Sequence, residues 1–186
     1  MSSNDRVSTA SGIAALIGGG LLIFKAVQIL ITGNQPPLAF EVAPVFLAIT
    51  MYGLLVRVAR PVGISRSISV PLIALVLITA LGGLMIEEDG SEGSTSEIIS
   101  SLFDLIAGLG PVVVLIVLGL PIFRLRLWPS GWRVLPLGLG IGFIPALIVG
   151  ALLEATLGER YLEIPLVAIG VAWMMIAYPL LTRKTN

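Results

Sequence analysis

The chain has 186 residues, 56% of them hydrophobic and 12% charged, with a mean hydropathy of +1.05 and no net formal charge. Those values lie outside the soluble globular range and place the chain in the membrane class. Cysteine and histidine are both absent, which excludes disulfides, thiolate nucleophiles, imidazole metal ligands and the usual protein ligand of haem.

Six apolar segments, at about 10–32, 41–59, 68–86, 98–123, 134–157 and 162–182, are each near the ~20 residues that cross a hydrocarbon core as a helix. They predict an all-α polytopic membrane protein, with residues 1–186 forming a single transmembrane domain and a compact bundle of six helices with short loops. Basic residues occupy alternate connections: Arg6, then Arg57, Arg60 and Arg66, then Arg124, Arg126 and Arg133, then Arg183 and Lys184. Only Lys25 and Arg160 fall elsewhere, while Glu41, Glu87, Glu88, Asp89, Glu92, Glu97, Glu159 and Glu163 collect in the other connections. The positive-inside rule then predicts a multi-pass protein of the plasma membrane with both termini cytoplasmic and the acidic loops outside.

In the first segment the apolar run 12–31 is longer than the 7–15 residues of a signal-peptide core, so a retained helix is expected. Ala14 and Gly18 share a face there, and Lys25, seven residues on, returns to it. Pro36 and Pro37 stop that helix, and Pro44 and Pro71 sit in the opening turns of the second and third segments, where a missing N–H costs little. The basic loop 61–69 reads as topogenic charge, with contact to anionic head groups as the alternative.

In loop 87–97 the acids Glu87, Glu88, Asp89 and Glu92 offer hard oxygen ligands for a divalent cation. The spacing does not match an EF-hand, and a solvated acidic loop is the preferred reading. Ser94 and Glu97 form an S-x-x-E capping box for the fourth helix, which carries Asp104 two turns in and a kink at Pro111. Between segments four and five, Arg124, Arg126, Trp128, Trp132 and Arg133 read as interfacial anchors; no nucleic-acid partner is expected from so short a loop.

The fifth segment carries Gly138, Gly142, Ala146, Gly150 and Glu154 at every fourth position, a small-residue row suited to close helix packing. Each step advances 400°, so the row winds, and Pro145 divides it into an inner patch (Gly138, Gly142) and an outer one (Ala146, Gly150) around a kink. In the sixth segment Trp173 and the two methionines beside it read as packed core.

Three ionisable residues lie inside the segments, Lys25 and Asp104 roughly 10 Å deep and Glu154 roughly 5 Å deep, all toward the outer surface. One expectation pairs Lys25 with Asp104, with Glu154 close enough to share the ammonium in an outward-facing polar pocket. The competing one has Lys25 snorkelling to the interface and no common partner. No nucleophile elbow, zinc-helix motif or paired-aspartate signature is present, so neither enzyme chemistry, a resident metal nor a cofactor is expected. The sequence points to a structural or accessory subunit packing against lipid, other membrane subunits or further copies of itself. The alternative is a small transporter or channel using Lys25, Asp104 and Glu154.

Overall fold

In lipid, backbone polar groups must be satisfied within the segment, so long apolar runs become helices. The computed structural model describes residues 3–34, 36–85 and 94–182, with side chains at all of these except 3, 4, 37–41, 60, 82–85, 94–105 and 107. The described residues form six α-helices: α1 (Ser3–Thr32), α2 (Pro37–Val62), α3 (Arg66–Met85), α4 (Ser94–Arg124), α5 (Leu135–Leu157) and α6 (Ile164–Thr182). A short 3-10 segment, Glu159–Glu163, joins the last two. No strand occurs among the described residues. Four stretches are long and apolar enough to cross a membrane: Asp5–Thr32, Val42–Ala59, Leu135–Leu157 and Glu159–Thr182.

Local chemistry sets the helix ends. Gly33 closes α1 at φ 74°, with its N–H donating to the Ile29 carbonyl at 2.8 Å. The carbonyl of Ser65 accepts from the N–H groups of Ile68 and Ser69 at the start of α3. α4 begins at Ser94, where the capping box was expected, although the side chains there lie outside the described residues. Its other end is a Schellman turn in which Leu127 N–H donates to Ile122 and Arg126 N–H to Phe123. Glycine usually occupies the left-handed position of that turn; here Arg126 holds it at φ 51°, at a cost of roughly 1 kcal/mol.

Consecutive helices pack side by side and α6 returns to α1, closing a ring in which α2 also touches α4. The α1–α6 pairing is antiparallel. Gly12 lies against Leu181, Gly19 against Gly170, and Gly33 beside Arg160. A Cβ added at Gly19 would stand 2.5 Å from the Gly170 carbonyl oxygen, so the two backbones touch and only glycine fits. At the α4–α5 crossing a Cβ on Gly119 would meet the Leu137 nitrogen at 2.5 Å, and one on Gly140 the Ile116 side chain at 2.8 Å.

Met51, Leu54, Leu118, Ile122, Ile176 and Leu180 are fully buried inside the ring. Outside it, Ile141, Ile144, Leu147, Ile148 and Leu152 of α5 are all exposed, an apolar belt far larger than soluble proteins display and suited to acyl chains. The buried hydroxyls are satisfied. Ser11 Oγ donates to the Ile49 carbonyl at 3.0 Å, Thr50 Oγ1 to Phe46 at 2.9 Å and to Ser11 at 3.3 Å, and Thr79 Oγ1 to Leu75 at 2.9 Å.

α4 and α5 remain helical through Pro111 and Pro145, so each proline removes one donor without ending its helix.

Candidate functional site

Toward the acidic end, α1 meets the 3-10 segment before α6. Lys25, buried to 7% exposure, points into this contact, and its Nζ lies 3.6 Å from Oε1 of Glu163, itself 8% exposed. At that separation the pair is an ion contact too long for a hydrogen bond. Oε2 of Glu163 is buried and meets no hydrogen-bond donor among the described residues, while Lys25 has a further interaction besides this one. Lys25 therefore stays within the protein instead of extending to water.

The structure sets Lys25 against Glu163, and Glu154 half-buried on α5, one turn before Gly158. The side chain of Asp104 lies outside the described residues, as do Glu87, Glu88, Asp89 and Glu92 of the cation reading. No group of three or more acidic, histidine or cysteine side chains suited to a metal occurs among the described residues. Arg160 lies with its guanidinium over Gly33, beside the C-terminal carbonyls of α1, where a cation is favoured.

The small residues of the fifth helix divide differently from the expected row. Gly150 packs tightly, since a Cβ there would stand 2.8 Å from the Leu162 carbonyl oxygen. At Gly138 and Gly142, by contrast, an added Cβ would meet nothing within 4 Å. Among the described residues the inner patch therefore meets no close partner. Its residues instead line a cavity of ≈ 300 Å³ between α5 and α6, together with Ala146 and, across from them, Pro165, Ala168 and Ala172. Leu139 and Ile169, both buried, form its floor. Along the chain it is flanked by Gly150, packed against the 3-10 segment, and by Trp132, stacked on Tyr178 with ring centroids 4.6 Å apart. On α1, Ala14 is buried at 3% exposure, and a Cβ on Gly18 would touch Leu47 and Phe46, so this expected packing face rests on α2.

The basic end is more structured than a set of loose anchors. Trp128 is 3% exposed and belongs to the core, whereas Arg124 and Arg126 are exposed. Arg133 places its guanidinium carbon 5.6 Å from the centre of the Phe123 ring, and its Nε is buried with no partner among the described residues. A polar cavity of ≈ 380 Å³ lies nearby, lined by Arg126, Trp128, Pro129, Tyr178, Pro179 and Thr182. Arg57, counted from sequence among the basic residues of the alternate connections, turns inward: its Nη1 donates to Ser8 Oγ at 2.6 Å and to the Pro179 and Leu180 carbonyls at 2.8 and 3.1 Å. Ser8 Oγ also donates to the Leu180 carbonyl, at 2.7 Å. This knot ties α1, α2 and the last turn of α6, whose carbonyls lack helical partners.

Sequence reasoning missed Glu163 as the partner of Lys25 because it counts with the acids of the outer connections. The signal available was a lysine about 10 Å inside a helix that must find an acid on whichever helix meets it. No protein-family model, curated protein or solved structure matches the chain.

Proposed function

We propose that the chain crosses the plasma membrane six times with both termini cytoplasmic, and serves as a non-enzymatic accessory subunit that packs against lipid, other membrane subunits or a second copy. Support for six spans comes from the two helices beyond the four most apolar: α3 has 20 residues and α4 has 31, rises of ~30 and ~46 Å against a hydrocarbon core of ~30 Å. Support for the orientation comes from the nine basic residues that share alternate connections.

The observation that carries the accessory role is the open α5–α6 seam. Two faces of small residues oppose each other with no described residue between them, while every other neighbouring pair in the ring is in closer contact. A protein that works by being packed against leaves such a surface unfilled.

The test is purification in mild detergent followed by intact-complex mass measurement. The protein is expected to emerge with retained lipid or with a second membrane subunit. A strictly monomeric, lipid-free wild-type protein would remove the accessory reading.

A further inference from the structure

We propose that the α5–α6 slot holds one acyl chain of an anionic phospholipid whose head group sits at the basic end against Arg126. The inference rests on the membrane-embedded reading above and names the occupant of the open seam.

The dimensions favour a single hydrocarbon chain. From Val134 to Ala146 the slot runs along twelve residues of α5, or ~18 Å of helix. The ≈ 300 Å³ of the slot is drawn out along that length between α5 and α6, the shape of a groove in which a flexible hydrocarbon chain can lie. A flexible chain enters sideways through the exposed backbone of Gly138 and Gly142. The lining is apolar throughout, with Leu139 and Ile169 as a greasy floor.

The charge at the basic end favours an anionic head group. Ala168, Ala172, Pro179 and Thr182 lie on one side of α6, the first two in the slot and the last two in the polar cavity that contains Arg126. Ala172 to Pro179 is seven residues, or ~10 Å, the span over which an acyl chain gives way to its head group. Trp132 and Tyr178 stack between the two cavities, as amphipathic rings do at the head-group level. Residues 124–133 hold three arginines and no acid. Arg126 also keeps a left-handed backbone that glycine adopts freely, so capping α4 does not by itself explain an arginine there.

The experiment exposes the purified protein to mixed micelles of phosphatidylglycerol and phosphatidylcholine in equal amounts and weighs the intact complexes. Wild type is expected to keep one phosphatidylglycerol with about fivefold preference, the effect of one cation near an anionic head group. Gly142→Leu, at a position where an added Cβ meets nothing within 4 Å and the side chain would project into the slot, is expected to lower retention of both lipids by about tenfold or more, since several methylenes lose their site. Gly20→Leu, on α1 at a position equally open to an added Cβ, is expected to behave as wild type. Arg126→Gly is expected to bring the two lipids to parity without lowering the melting temperature, an outcome that a purely structural arginine would not give.

Phosphatidylglycerol retention in Gly142→Leu equal to wild type would overturn the slot. If that variant does not fold, an unchanged preference in Arg126→Gly overturns the proposal on its own. A wild-type protein that emerges lipid-free but bound to another subunit overturns the lipid occupant and leaves the accessory role standing; one that emerges alone overturns both.

Discussion

Lys25→Met is expected to destabilise the folded bundle by about 3 to 5 kcal/mol, read from its midpoint of unfolding in a mixed-micelle titration with denaturing detergent. Removing one partner of a buried ion pair leaves the other charge without compensation, and here the abandoned carboxylate already has one oxygen with no donor among the described residues. Glu163→Leu is expected to cost somewhat less, because Lys25 keeps its further interaction. The double variant Lys25→Met with Glu163→Leu is expected to recover most of the loss, since two apolar side chains of similar size carry no desolvation penalty. Single variants within about 1 kcal/mol of wild type would mean that Lys25 reaches the head-group zone and that the pair carries little.

Gly19→Leu and Gly170→Leu are expected to cost about 3 kcal/mol each, at the upper end of what overpacking does, with Gly20→Leu close to wild type. The contrast comes from three glycines in similar apolar helices. At Gly19 an added Cβ would strike a backbone carbonyl at 2.5 Å, at Gly170 the Gly19 carbonyl at 2.7 Å, and at Gly20 nothing within 4 Å. A backbone atom cannot rotate away as the end of a side chain can, so α1 and α6 must separate. That separation also pulls apart the Lys25–Glu163 contact and the Arg57 knot, which lie along the same pairing. Thermal unfolding of the three variants in one detergent measures the difference. Equal melting temperatures for Gly19→Leu and Gly20→Leu would contradict the close crossing.

Both expectations depend on pairings that the amino-acid sequence did not show, although it showed the helices themselves well. Segments expected at 134–157 and 162–182 are the helices Leu135–Leu157 and Ile164–Thr182, because prolines and charges bound each apolar run. What a single sequence hides is which side of such a helix faces inward. In α5 apolar residues surround the axis, so no polar face marks the outside. The row Gly138–Gly142 was as plausible a packing face as Gly140, which lies about 200° round the helix from Gly138 and is the one that meets α4.

The same blindness applies to Gly18 and Gly19, one residue apart, which serve α2 and α6 respectively. Register between distant helices is hidden too: Lys25 had several acids at its own end of the bundle, and only the α1–α6 pairing selects Glu163. Arg57 shows a further limit, since an arginine of α2 that counts toward topology also caps another helix.

The six-span arrangement on which the account stands is tested most directly by single-cysteine labelling, which needs no background removal because the chain contains no cysteine. Cysteines placed at Ser91 and Glu159 are expected to react with a membrane-impermeant maleimide in intact cells, and cysteines at Ser67 and Ser130 only after permeabilisation. Labelling of position 67 or 130 from outside intact cells would contradict it.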